Sequence, residues 1–131
     1  MSRPTVMVAD DHVRFREALV AALELDGFQV VGQAADGADA VALAKQLRPD
    51  VIVMDLSMPV LNGLDATRLV RDALPCTPVV VFSAFTGPEL EQAALDAGAT
   101  AYLAKDANLE ELRATLAAAM AAPADRPDPG C

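Results

Sequence analysis

Val51-Ile52-Val53-Met54-Asp55 is a run of four apolar residues closed by a carboxylate. Both faces of such a run are apolar, which suits a strand covered by helices on either side in a parallel sheet. The acid marks the point where the strand leaves the core. The same form recurs on both sides of this stretch. Thr5–Ala9 is followed by Asp10 and Asp11, and Val79–Phe82 is followed by Ser83. Two further strand candidates, Gln29–Gln33 and Ala101–Leu103, are shorter on apolar content or length, and Lys105 closely follows the second.

Helical patterns fill the intervals. The first places Phe15, Leu19, Ala22 and Leu23 on one face and stops at Gly27. The second starts near Asp36-Gly37, carries Val41, Ala44 and Leu47, and meets Pro49. The third follows Asn62-Gly63 with Leu64, Leu69, Val70 and Ala73; Gly63 is expected to permit unusual backbone angles there. The fourth opens at Gly87-Pro88 and groups Leu90, Ala93, Ala94 and Ala97 before Gly98. The fifth begins with the capping pair Asn108 and Glu111 and stacks Leu109, Leu112, Leu116 and Met120.

Repeated β-α units joined by right-handed crossovers predict an α/β fold. With five strands the favoured form is flavodoxin-like, a (βα)5 three-layer sandwich around a parallel sheet of order 2-1-3-4-5. The chain's 131 residues make one domain, expected over 1–122. The stretch 123–131 contains three prolines without apolar periodicity and reads as a tail or the start of a linker. Apolar residues at 53% and aromatics at only 4% put small aliphatics in the core and argue against disorder. The net charge of −9, with no Lys/Arg cluster, argues against direct nucleic-acid binding. Cys76 and Cys131 have no ligand-like spacing and read as two free thiols of a cytoplasmic protein. No signal-peptide pattern or membrane-length apolar run is present.

In the expected topology, Asp10, Asp11, Asp55, Ser83 and Lys105 all fall at carboxyl ends of strands, on one rim of the sheet. Three carboxylates close together repel one another, and a hard divalent cation relieves that repulsion. Mg²⁺ (or Mn²⁺) suits one or two carboxylates, a carbonyl and a phosphoryl oxygen. A carboxylate beside such an ion, a lysine and a hydroxyl suits phosphoryl transfer, with Asp55 as nucleophile. His12 and Phe85 lie near this rim as well, His12 with its ring toward solvent.

The stretches VMVADDH (6–12), VIVMDLSMPVLNGL (51–64), VVVFSA (79–84) and AYLAKD (101–106) resemble, in order and spacing, the signature segments of response-regulator receiver domains, most closely those of LuxR/NarL-type transcription regulators. The resemblance covers about residues 4–121. It implies that Asp55 is phosphorylated by a sensor histidine kinase. It implies a metal site of Asp11, Asp10 acting largely through water, Asp55 and the Ser57 backbone carbonyl. Ser83 would be the switch hydroxyl, the Ala84 amide and Lys105 would hold the phosphoryl oxygens, and Tyr102 would be an aromatic switch. The protein would be a signalling domain rather than an enzyme, pairing with a second copy on phosphorylation. Its output, transcription, would run through a domain absent from this chain. Many receivers have proline after the lysine; Asp106 stands here, which leaves the Lys105–Asp106 peptide geometry open and could pair Asp106 with Lys105 at rest.

Three other readings compete. A stand-alone receiver would act through protein contacts or a phosphorelay. A phosphohydrolase with an aspartyl nucleophile would often carry a second Asp where Ser57 stands. A flavodoxin-like cofactor binder would need a Ser/Thr/Gly-rich loop where Asp10-Asp11-His12-Val13-Arg14 stands.

Overall fold

In the computed structural model, which describes residues 3–121, five strands and five helices alternate. They are β1 (Thr5–Ala9), α1 (Val13–Leu25), β2 (Gln29–Ala34), α2 (Gly37–Leu47), β3 (Val51–Met54), α3 (Gly63–Ala73), β4 (Val79–Ser83), α4 (Pro88–Asp96), β5 (Ala101–Ala104) and α5 (Leu109–Met120). All pairs are parallel, in the order β2-β1-β3-β4-β5. The three most apolar strands are therefore the interior ones: β3 and β4 are buried throughout, and so is β1 beyond Thr5. The edge strands β2 and β5 are only partly covered, which accounts for Gln29 and Gln33 in β2. The expected tail at 123–131 lies outside the described residues.

Alternation along the strands divides the core. Val6, Val8, Val51, Val53, Val80 and Phe82 face α1 and α5, where Leu19, Leu23, Leu112 and Leu116 pack on them. Met7, Ala9, Ile52, Met54 and Val79 face α2 and α3, where Ala40, Ala44, Ala66 and Val70 lie. Val81, on the same face, meets Ala94 of α4. Each of the larger buried side chains contributes roughly 1.5–3 kcal/mol by leaving water. The polar N-caps work as short-range signals. Asp36, Asn62 and Asn108 each accept the N–H three residues on, at 2.8–2.9 Å.

Several expectations are corrected. Strands β2, β4 and β5 each run one residue further, because Ala34 pairs with Ala9 and Ser83 with Ala104. Leu69 is exposed; α3 buries the stripe Gly63, Ala66, Thr67 and Val70 instead. Leu109 is exposed too, because α5 turns Leu112, Leu116 and Ala119 inward. Gly63 has no left-handed backbone. Its role is close approach: a Cβ there would overlap the Asp55 carbonyl oxygen and lie 2.7 Å from Leu56 Cα. Cys76 is not a free thiol but disulfide-bonded, and Cys131 lies outside the described residues. Among the described residues no helix is long and apolar enough to cross a membrane.

The loop after β3 carries local strain. Val60 has φ 69°, and the Leu61 N–H donates back to the Pro59 carbonyl at 2.7 Å, closing a three-residue turn. A β-branched residue in the left-handed region is strained. Val60 is 82% exposed, so little packing offsets that strain. Val60→Asn is expected to stabilise the protein by about 1 kcal/mol, since Asn tolerates this region. An unchanged denaturant midpoint would count against strain at Val60.

Candidate functional site

Ladder bonds continue past the strand ends and fix the site backbone. Asp10 N–H donates to the Ala34 carbonyl and Asp55 N–H to the Ala9 carbonyl, both at 2.9 Å; Lys105 N–H donates to the Ser83 carbonyl at 2.8 Å. The rim residues are thus extensions of the sheet rather than members of free loops. From the other side, the Gly63 N–H donates to the Leu56 carbonyl at 2.8 Å, seating α3 directly on the residue after Asp55.

The side chains converge. Lys105 Nζ lies 2.8 Å from Asp10 Oδ2 and 3.5 Å from Asp55 Oδ2. Asp10 and Asp55 are almost completely buried, at 2% and 3% exposure. Asp10 Oδ1 also accepts the His12 N–H at 2.8 Å. The Lys105 ammonium stands over the Phe15 ring, 4.4 Å from its centre, and Phe15 tilts against Phe82 at 5.8 Å. The lysine is therefore held by charge on one side and by an aromatic face on the other. Asp106 is not needed as its resting partner, and the Lys105–Asp106 peptide is trans.

Asp10, Asp11, His12 and Asp55 each offer a ligand atom within 4.8 Å of the others. One ammonium directly pairs with two of three carboxylates, so negative charge remains in excess. Asp11 Oδ1 is buried without a hydrogen-bond partner, although His12 Nδ1 stands 3.3 Å away. An orphaned oxygen beside buried carboxylates fits a hard, oxygen-seeking divalent cation. His12 is largely exposed, as expected, yet its ring turns toward Asp10 and Asp11.

Burial raises the Asp55 carboxyl above its ordinary 3.8, and the neighbouring Asp10 charge pushes the same way; Lys105 and the Leu56 amide pull it back only in part. Above 3.8 the unfolded chain releases this proton before the folded protein does. Stability of the metal-free protein therefore falls as pH rises from 3.8 through the raised value, and the penalty is complete above it. Asp55→Asn should remove that penalty and be more stable than wild type at neutral pH, with the gap closing in acid. Denaturant unfolding of both proteins in chelator, across pH, measures this. A gap that does not change with pH would contradict it.

The remaining expected site residues form a second group. Ser83 is fully buried, and its Oγ accepts the Phe85 N–H at 3.1 Å. The Tyr102 hydroxyl donates to the Phe85 carbonyl, while its ring packs near Leu56, Val81 and Ala94. Ser83 and Tyr102 thus meet at Phe85 rather than at Asp55. Ala84 and Ser57 are exposed in the loops after β4 and β3. Two contributors went unnoticed in the sequence. Phe15 reads as a core residue of α1, yet also supports Lys105. Arg16 donates to the Asp10 carbonyl at 2.6 Å and to Gln33 Oε1 at 3.1 Å. An arginine one turn into a helix gives no signal of that reach.

Comparison with known proteins agrees with this arrangement. Residues 6–117 match the response regulator receiver domain family. The chain is 41% identical over 108 residues to the response regulator GacA of Pseudomonas aeruginosa, covering 82% of this chain and 50% of GacA. It spans about half the length of the curated relatives it matches. A LuxR-family two-component response regulator from Aurantimonas sp. SI85-9A1 superposes with a TM-score of 0.87 at 33% identity, covering 92% of this chain and 86% of that one. The signal receiver domain of NarL from Mycobacterium tuberculosis gives 0.83 at 38% identity, covering 96% of this chain and all of that one. With its sheet order, its acidic rim and its lysine, the chain belongs to the response regulator receiver domains of two-component signalling.

Proposed function

We propose that Asp55 is the phosphoacceptor of this receiver domain and that a sensor histidine kinase is the donor. The observation that carries the reading is the convergence of Asp10, Asp11, Asp55 and Lys105 on one rim. An Asp55 carboxylate oxygen forms the new bond to phosphorus as the bond from phosphorus to the donor imidazole nitrogen breaks. The imidazole keeps the electron pair and takes up a proton. Asp10, Asp11, Asp55 and the Ser57 carbonyl would hold Mg²⁺ (or Mn²⁺), which when bound offsets charge on the phosphoryl oxygens. Lys105 already lies within 3.5 Å of Asp55 and supplies a second positive charge to those oxygens.

Phosphorylation adds about −1.5 to −2 charge at this rim. Lys105, the Ser83 hydroxyl and the Ala84 amide then gain a stronger partner than they have now. If Ser83 Oγ turns to it, the Phe85 N–H loses its acceptor, and the loop clasped by Tyr102 is free to rearrange. The α4-β5-α5 surface would carry that change to a second copy of the chain or to an output domain. The half-length match to GacA favours an output beyond this chain, controlling transcription, over a stand-alone receiver. On this reading residues 1–122 form the signalling domain, 123–131 begin a linker, and the protein works in the cytoplasm without itself binding nucleic acid.

The test is incubation with a small acyl-phosphate donor, with and without Mg²⁺, followed by borohydride reduction and mass mapping. Reduction converts a phosphorylated aspartate to homoserine. Mg²⁺-dependent homoserine at position 55 is expected. Homoserine at Asp10 or Asp11 instead would overturn the assignment.

A further inference from the structure

We propose that Arg16 is a positioning residue of the cation site, acting through the backbone of Asp10; the inference rests on the cation reading above. Three bonds define its place. Its guanidinium donates to the Asp10 carbonyl at 2.6 Å and to Gln33 Oε1 at 3.1 Å, and its own N–H donates to the His12 carbonyl at 2.8 Å in the first turn of α1. Arg16 touches no carboxylate of the site in any of them.

The Asp10 backbone is consequently held at both ends by β2. Its N–H goes directly to the carbonyl of Ala34, the last residue of that strand. Its carbonyl goes to Gln33, the residue before, with Arg16 as the bridge. That carbonyl belongs to the peptide unit joining Asp10 to Asp11, so fixing its direction fixes the plane from which the Asp11 side chain departs. Asp11 depends on this more than its neighbours do. Asp10 has Lys105 and the His12 N–H on its carboxylate, and Asp55 has Lys105. Asp11 Oδ1 has no hydrogen bond, and the exposed His12 ring stands beside it with Nδ1 at 3.3 Å. Its aim toward a cation is set by the main chain, and Arg16 sets the main chain.

Arginine suits the task because one planar fork reaches two acceptors in fixed directions, which a lysine ammonium on a flexible stem does not. Loss of a group that orients a metal ligand typically weakens metal binding by roughly 10–100-fold. A mere tether between α1 and β2 would lower stability and leave the affinity of the folded protein alone.

Mg²⁺ titration by calorimetry separates the two, on wild type, Arg16→Gln, Arg16→Lys and Gln33→Ala, each with its metal-free unfolding curve. Arg16→Gln is expected to weaken Mg²⁺ binding by roughly 10-fold or more. Arg16→Lys and Gln33→Ala should fall between it and wild type, each keeping one half of the bridge. In phosphodonor labelling, the Mg²⁺ concentration for half-maximal rate should rise far more than the saturated rate falls. A folded Arg16→Gln protein that binds Mg²⁺ as wild type does overturns the proposal. If that variant does not fold, unchanged affinity in Gln33→Ala overturns it equally. Wild type binding no Mg²⁺ would bring down the cation reading together with this inference; wild type and variants binding alike would bring down this inference alone.

Discussion

Asp55→Asn is expected to take up no acid-labile phosphate from a small phosphodonor at any Mg²⁺ concentration, while remaining folded. The amide keeps the size and planarity of the carboxylate but lacks the anionic oxygen that, on the proposed reading, would attack phosphorus. A lost signal could ordinarily be blamed on a damaged fold. Here the opposite is expected, because the buried carboxylate costs stability when ionised and the amide does not. The variant should therefore be silent in labelling and sturdier in unfolding at neutral pH. Label retained at wild-type level would remove Asp55 from the chemistry.

Gly63→Ala should be the most damaging single change to the fold near the site. The added methyl would meet the Asp55 carbonyl oxygen, Leu56 Cα at 2.7 Å and the Asp55 carbonyl carbon at 2.8 Å. All three are main-chain atoms, so no side chain can swing aside. Either α3 withdraws or the backbone that carries Asp55 moves. Forced overpacking of this kind costs roughly 3 kcal/mol, and phosphoryl uptake should drop with it. Urea unfolding and labelling of the same preparation measure both losses. A stability change no larger than that of a surface substitution would show that the contact relaxes freely. Gly37 offers a parallel case, since a Cβ there would overlap the Leu61 carbonyl oxygen.

Most of the fold was legible because the interior strands announce themselves. Val6–Ala9, Val51–Met54 and Val79–Phe82 are apolar on both faces, which together with the helical patterns between them suits a doubly covered parallel sheet. Strand ends were less legible, since Ala34 and Ala104 join their strands through pairing partners far away in sequence. The exposure of Leu69 was hidden for a related reason. Helical periodicity allows more than one stripe, and α3 takes the one with Gly63, Ala66 and Thr67, small enough to lie against the sheet. At the site, the residue types and their shared rim could be read from strand-end positions. The pairing of Lys105 with Asp10, the aromatic support from Phe15 and the reach of Arg16 could not, because each depends on side-chain directions across separate elements.

The rim is assembled from opposite ends of the chain, and this gives it an order of birth. Asp10 and Asp11 leave the ribosome first, Asp55 midway, and Lys105 only after nearly all of the sheet has been made. Lys105 is held in register by Ser83 of β4, whose strand must itself have found β3. A chain whose last strand has not yet paired thus has the rim carboxylates without Lys105 beside them. On the phosphoacceptor reading proposed above, a chain whose last strand has not docked would take up phosphate poorly, because Lys105 would not yet stand beside Asp55.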